Sequence, residues 1–399
     1  MHYLISFLLG LLCVSSTQAA AQTSFELQGS LRNLSQQLEN FALSDQRTRL
    51  SSTLLRIESR YRQSPDLDVE MALQVREDYR DSALQAPTTT RDINHLSDVT
   101  RSWEQSHNWS GQMQIERFNL RGRRGNISWT LGRQAYGFGN ILLFSPLDLV
   151  APFAPYTLDT DYRPGVDALR FTLDTAQGDQ FNTLAAVNRA AGQNSYLATS
   201  RINRRAIDLL FLGGSLRSRP MLGLGLAGNL GSLGIKAEMS GYQGKDVAKP
   251  GGDLHENFVI GALELWYRFD SGPILLLEYL YNGAGSSAAW DYLNAATSAS
   301  FNEGLSPFLG RNYLLLSPSW EIHPLLTIAT FGMWNLNDNS WQLRPQLQIS
   351  LSDNFSLELA HSFNVGAGLA TGARPWIKIP QSEFGLYADT TSLFLRWYF

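Results

Sequence analysis

Segments of about ten residues in which apolar and polar side chains alternate recur along most of this chain, and no other feature constrains its fold as much. Leu343, Pro345, Leu347, Ile349 and Leu351 take one face of such a segment, while Gln342, Arg344, Gln346, Gln348 and Ser350 take the other. Val69, Met71, Leu73 and Val75 oppose Glu70, Ala72, Gln74 and Arg76, and Leu275, Leu277, Tyr279 and Tyr281 oppose Glu278. Successive side chains of a β-strand point to opposite sides, so these are strands with one apolar and one polar face. A soluble sandwich would turn the apolar faces inward. A membrane barrel would turn them out to lipid and line a lumen with the polar ones.

Connection lengths favour the barrel. Short turns at Ser352-Asp353-Asn354, His323-Pro324, Asp270-Ser271-Gly272 and Asn229-Leu230-Gly231 alternate with longer loops over 365–388, 283–310 and 243–255, although 336–339 and 217–219 are short. Towards the N-terminus, turns near Asn203-Arg204, Ala176 to Asp179, Gly122 to Gly125 and Arg62 to Pro65 alternate with long loops over 137–165 and 83–107. The expectation is an all-β, transmembrane antiparallel β-barrel of eighteen strands, with short periplasmic turns and long extracellular loops. Sixteen is the alternative, because 24–34 and 195–203 are the weakest strand segments. Each strand with its connection then takes about 21 residues, which suits strands of about ten residues.

Composition agrees. Only 17% of the 399 residues are charged and 11% are aromatic, too apolar for a disordered chain. Beyond the N-terminus no run approaches the roughly 20 apolar residues of a spanning helix. The net charge of −4 argues against a nucleic-acid partner. Residues 1–21 read as a secretory signal peptide, with Leu4 to Val14 apolar and small residues at Ser16 to Ala21. The one cysteine, Cys13, falls inside that segment, so 22–399 is expected to form the barrel without disulfides.

The chain ends Leu393-Phe394-Leu395-Arg396-Trp397-Tyr398-Phe399, with Leu393, Leu395, Trp397 and Phe399 on one face. This resembles the terminal strand of Gram-negative outer-membrane barrels, which the barrel-assembly machinery reads. The resemblance implies residence in the cell outer membrane, surrounded by lipid and lipopolysaccharide.

Basic residues are unevenly placed. Of 28 Arg, 23 lie between Arg32 and Arg219, balanced by 21 acidic residues over 22–219. Arg56 and Arg60 face away from Leu55 and Ile57, Arg76 from Val75, and Arg170 from Leu169 and Phe171, while Arg117 and Arg121 share a strand. A charge on the lipid face near the midplane costs about 2–4 kcal/mol, which assigns these arginines to a lumen. Guanidinium groups stay charged and grip carboxylates or phosphates as a fork. They suit the path of a small anionic or sugar-like solute, or else brace the wall by pairing with carboxylates.

The segment 137–165 is long, apolar and rich in proline, including Pro146 and Pro152. Long loops that are not disordered are usually functional, and this one is expected to fold into the barrel and constrict it. Gly132-Arg133-Gln134, Gly137-Phe138-Gly139, Pro146-Leu147-Asp148, Pro152-Phe153 and Arg163-Pro164-Gly165-Val166-Asp167-Ala168-Leu169-Arg170 resemble a pattern of porin-like outer-membrane proteins, and loosely the alginate-export type of 18-stranded porin. That pattern has Trp where Tyr136 stands here. The resemblance implies a channel, with Arg133 and Arg170 as lumen residues and Asp148, Phe153 and Arg163 on the constricting loop.

Two other classes compete with a channel. A hydrolase would need His beside Ser or a carboxylate, and His95, His107, His255, His323 and His361 are scattered without such pairing or metal-ligand spacing. Neither a cofactor nor a metal is expected. A structural or assembly barrel would use loops for display, as the Ala-, Ser-, Asn- and Gly-rich 283–310 suggests.

Overall fold

A computed structural model describes residues 23–39, 47–81, 95–106, 108–151, 159–190, 192–247, 249–305, 308–371 and 378–399. The expected signal peptide and the loop residues Pro152 and Phe153 lie outside the described residues.

The chain begins with β1 (Ser24–Glu39), β2 (Thr48–Ser64), β3 (Leu67–Arg80), β4 (Thr100–Ser106), β5 (Trp109–Arg124) and β6 (Ile127–Gln134). Then follow β7 (Val166–Asp174), β8 (Gln180–Ala186), β9 (Ser195–Arg204), β10 (Ile207–Leu216), β11 (Arg219–Leu230), β12 (Leu233–Gln243), β13 (Asn257–Arg268) and β14 (Ile274–Asn282). Two short helices, α1 (Tyr292–Thr297) and α2 (Ala299–Asn302), precede β15 (Asn312–His323), β16 (Leu326–Asn335), β17 (Trp341–Ser352) and β18 (Phe355–Val365). A small hairpin of β19 (Leu369–Thr371) and β20 (Lys378–Pro380) leads to β21 (Asp389–Tyr398).

Each wall strand pairs antiparallel with the next, and β1 pairs with both β2 and β21, which closes the ring. The ring has 18 strands; β4 is an extra one that pairs only with β5. Closure leaves no edge strand among the eighteen of the ring, the requirement for crossing a bilayer with strands. At the seam Gly29 and Phe399 exchange both backbone hydrogen bonds, at 2.7 and 2.9 Å. A Cβ on Gly29 would lie 2.5 Å from the Phe399 ring, so glycine is what lets that ring cover the strand.

The outer face carries exposed apolar side chains, among them Leu31, Met71, Phe118, Leu131, Phe171, Phe211, Leu263, Ile328 and Leu359. Trp320, Trp397 and Phe399 stand near the short-turn end, and Trp334, Trp341 and Phe363 near the long-loop end. An apolar band between two aromatic rims is the signature of a lipid-facing barrel.

Three expectations need correction. The strands near the N-terminus are longer than ten residues, reaching 16 in β1, 17 in β2 and 16 in β5. Residues 100–106, expected in a loop, form β4 beside the part of β5 that β6 is too short to cover. The 283–310 loop, expected to suit flexible display, contains α1 and α2 and buries Tyr292 and Ala295, with Asn335 donating to the Tyr292 hydroxyl at 3.0 Å. Its small residues permit close packing.

Candidate functional site

Beyond Gln134 the chain leaves the wall and crosses the lumen. Its outgoing limb is seated on β12, β13 and β14, each of which points one glutamate inward. Glu238 accepts from the backbone N–H of Asn140, at 2.5 Å, and of Ile141, at 3.2 Å. Glu264 accepts from Leu142 at 2.6 Å and Glu278 from Phe144 at 3.1 Å. Three wall carboxylates thus satisfy loop amides that a strand partner would otherwise serve. Lys236 lies 2.9 Å from Glu264.

Apolar contact fixes the same limb. Phe138, Ile141, Leu147, Leu149 and Val150 are buried with Leu184, Leu197, Leu210, Leu212, Met221, Ile260, Leu280 and Leu315 of β8 to β15. Leu147 fills a niche where β11 has only glycine. A Cβ on Gly223 would stand 2.7 Å from it and one on Gly225 3.3 Å. One side of the barrel is therefore packed like a protein core.

The return limb lies against the opposite wall. Asp159 pairs with Arg32 of β1, and Tyr398 of β21 donates to Asp161 at 2.6 Å. The Tyr162 ring covers Arg56 and Arg32, at 4.1 and 4.6 Å from ring centre to guanidinium carbon. Arg163 pairs with Asp148 and so joins the two limbs. Burial pushes the Asp148 carboxyl above the ordinary carboxylate range, against the pull of Arg163. Burial also raises Asp159, partly offset by Arg32 and reinforced by Asp161.

Six of the seven arginines singled out from the sequence occupy inward register positions on this second side. Arg56 is buried between Glu58 and Glu116, the latter at 2.8 Å. Arg117 lies 3.5 Å from both Glu70 and Glu116. Arg121 pairs with Glu70, and Arg60 and Arg121 approach Asp68 at 3.7 and 3.8 Å. Arg121 also lies within electrostatic reach of Arg60 and Arg170. Arg170 donates to Thr130 at 3.1 Å and faces the Tyr136 ring at 4.8 Å. Arg76 is half-buried. Four of the six, Arg56, Arg60, Arg117 and Arg121, meet the carboxylates of Glu58, Asp68, Glu70 and Glu116, while Arg76 and Arg170 have no ion pair among the described residues.

Arg133 is placed differently. Its register partners are Phe118, on the lipid side, and Asp167. Its guanidinium donates to Asp167 at 2.8 Å, to the Ile115 carbonyl at 2.9 Å and to the Ser97 carbonyl at 2.8 Å. It lies within the wall and holds the segment before β4 against β5 and β7. The expectation of a lumen position for Arg133 is corrected accordingly.

Sequence reasoning did not find a buried ionic knot at the outer end. Arg217 and Arg219, both wholly buried, flank the β10–β11 turn. Arg219 pairs with Asp253 and lies 3.2 Å from Glu303, to which Lys245 is held at 2.8 Å. Arg217 donates to the carbonyls of Glu303, at 2.7 Å, and Leu149, at 3.0 Å. The knot ties two outer loops to the lumen loop. The Arg-Ser-Arg spacing over a tight turn was its only trace in the sequence. Pro146 lies on the outgoing limb, and Leu393, Leu395 and Trp397 lie on β21, paired across the seam with Ser35, Asn33 and Leu31.

No protein-family model matches the sequence, and no curated protein matches it. Solved structures do. The chain is similar to Pseudomonas aeruginosa OccK7 (OpdD), with 11% identity and a TM-score of 0.56 over 95% of this chain and 99% of that one. It is similar to Acinetobacter baumannii OccAB4, with 10% identity and a TM-score of 0.56 over 95% and 98%. For Pseudomonas aeruginosa OccK2 (OpdF), whose crystal structure is a complex with glucuronate, the values are 11% and 0.55 over 94% and 96%. The fold is that of a porin-like outer-membrane barrel.

Proposed function

We propose that this protein is an outer-membrane channel for small anionic or sugar-like solutes, reached after export by the N-terminal signal peptide. One observation carries the reading: a lumen packed solid on one side and lined on the other by arginines that outnumber the carboxylates among them. A solute path confined to that second side meets fixed positive charge along β2, β3, β5 and β7. The loop of 137–165 narrows it, and Arg60 and Arg121, each with about a third of its side chain exposed, at 34% and 30%, are its selectivity groups. The glucuronate bound to OccK2 makes a uronate the first solute to try.

The test is reversal potential in planar bilayers across a potassium chloride gradient. The wild-type channel is expected to prefer chloride, and the Arg60→Ala/Arg121→Ala variant to lose much of that preference while still folding. A barrel that conducts nothing, or whose preference is indifferent to both arginines, overturns the reading.

A further inference from the structure

We propose that Arg32, Arg396 and Tyr398 form a carboxylate-binding site at the barrel seam, filled in this conformation by Asp161 of the lumen loop, which a carboxylate solute displaces. Arg32 on β1 and Arg396 on β21 are register partners where the ring closes. Like charges directly opposite one another destabilise a sheet, so such a pair calls for an anion between them. Asp161 supplies it. One carboxylate oxygen lies 3.8 Å from Arg32 Nη1 and 3.6 Å from Arg396 Nε, and accepts the Tyr398 hydroxyl at 2.6 Å.

The occupant fits loosely. At those separations the guanidiniums are ion-pair neighbours of Asp161 rather than hydrogen-bond donors to it. The buried Nε atoms of both Arg32 and Arg396 have no hydrogen-bond partner. Asp159 on Arg32 and Glu358 on Arg396, at 2.7 Å, take up the other edges. A free carboxylate, unconstrained by a loop, can approach both Nε–H groups as Asp161 does not. Asp161 is also 30% exposed, so water and solute reach it. Its departure would release Tyr162 from Arg56 and uncover a third guanidinium. The site thus contains its own tethered competitor.

This inference rests on the anion-path reading, and the experiment separates the two. Succinate is added to the full-length channel in a planar bilayer, and the concentration that halves the chloride current is measured. A tethered group competes at millimolar effective concentration, so Asp159→Asn/Asp161→Asn should lower the half-blocking concentration by about tenfold. Adding Arg396→Gln should abolish that gain. Asp161→Glu, one methylene longer and so able to close the 3.6 and 3.8 Å gaps to the two guanidiniums, should raise the half-blocking concentration, and it serves if the double variant fails to fold. Unchanged or weaker block in the double variant, or no change in Asp161→Glu, overturns the site while anion preference in the wild type stands. A wild-type channel with neither anion preference nor succinate block overturns both.

Discussion

Asp148 and Arg163 form an ion pair between the outgoing and returning limbs of the lumen loop, 15 residues apart in sequence. Arg163 also donates to the Ala151 carbonyl at 3.0 Å, and its guanidinium lies 3.0 Å from where a Cβ on Gly137 would be. The pair is the clasp of the loop. Arg163→Ala leaves a buried carboxyl without its partner, and its pKa should rise further. A lost charge-assisted bond of this kind costs about 1.5–3 kcal/mol. The expected outcome is a noisier channel of higher mean conductance in single-channel recording.

The seat of Leu147 offers a way to remove the loop without cutting it. Gly223→Val places branched carbon where Leu147 now sits, and overpacking costs about 1–3 kcal/mol. The barrel wall pairs through its backbone and should survive, with the penalty falling on the loop. Conductance should increase while heat-modifiable migration on gels stays as in the wild type. Gly228→Val, where a Cβ would meet nothing closer than 3.5 Å, is the control.

Arg133→Ala should affect stability and leave ion preference alone. Removing one partner of a buried pair typically costs about 3–5 kcal/mol, and two backbone carbonyls also lose their donor. Thermal unfolding in detergent should show the loss, with local opening of residues 95–106 visible by hydrogen exchange. A shift in reversal potential comparable to that of Arg60→Ala would show that Arg133 reaches the lumen.

Glu383 links the stability of the outer cap to pH. It is fully buried and accepts from the Tyr313 hydroxyl, from Asn335 at 2.9 Å and from the Leu309 amide at 3.0 Å. Burial raises its pKa to about 7, against these hydrogen bonds. A raised carboxyl holds its proton more tightly folded than unfolded. Its contribution is complete below about pH 4.5 and is lost as pH rises through about 7, at a cost of about 3 kcal/mol. Hydrogen exchange at residues 308–310 and 381–387 should accelerate between pH 5 and 8, and Glu383→Gln should flatten that dependence.

The sequence was most readable where each strand has two different neighbours, lipid outside and water or ions inside. Along β2 and β3 the alternation marks Met71 as outward and Glu70 as inward, and on β5 a bulge opposite Ala72 and Leu73 lets Met113 and Phe118 both face outward while Arg117 and Arg121 face inward. The alternation fails on β10 to β15. There Leu210, Leu212, Leu280 and Leu315 face inward and are apolar, because the lumen loop covers them. Their strands are apolar on both faces, so alternation no longer tells lumen from lipid. Glu238, Glu264 and Glu278 interrupt that inner face, yet nothing local shows that they receive loop amides from about 100 residues away. Arg133 is a different case: it has the parity of Leu131, whose side chain faces lipid, so alternation places it off the lumen, and only the resemblance implied a lumen position.

Strand period, turn spacing and aromatic ends are local properties, and by themselves they pointed to a closed membrane barrel of eighteen strands, with sixteen as the alternative, and a long apolar segment after the fifth wall strand. Which arginines face a path and which brace the wall was decided only by tertiary structure. An arginine on a strand has the same local pattern in either role, and the difference lies in partners brought from distant strands. The seam pair Arg32 and Arg396 is the plainest case, since only closure of the first strand on the last sets those two charges side by side around one carboxylate of the loop.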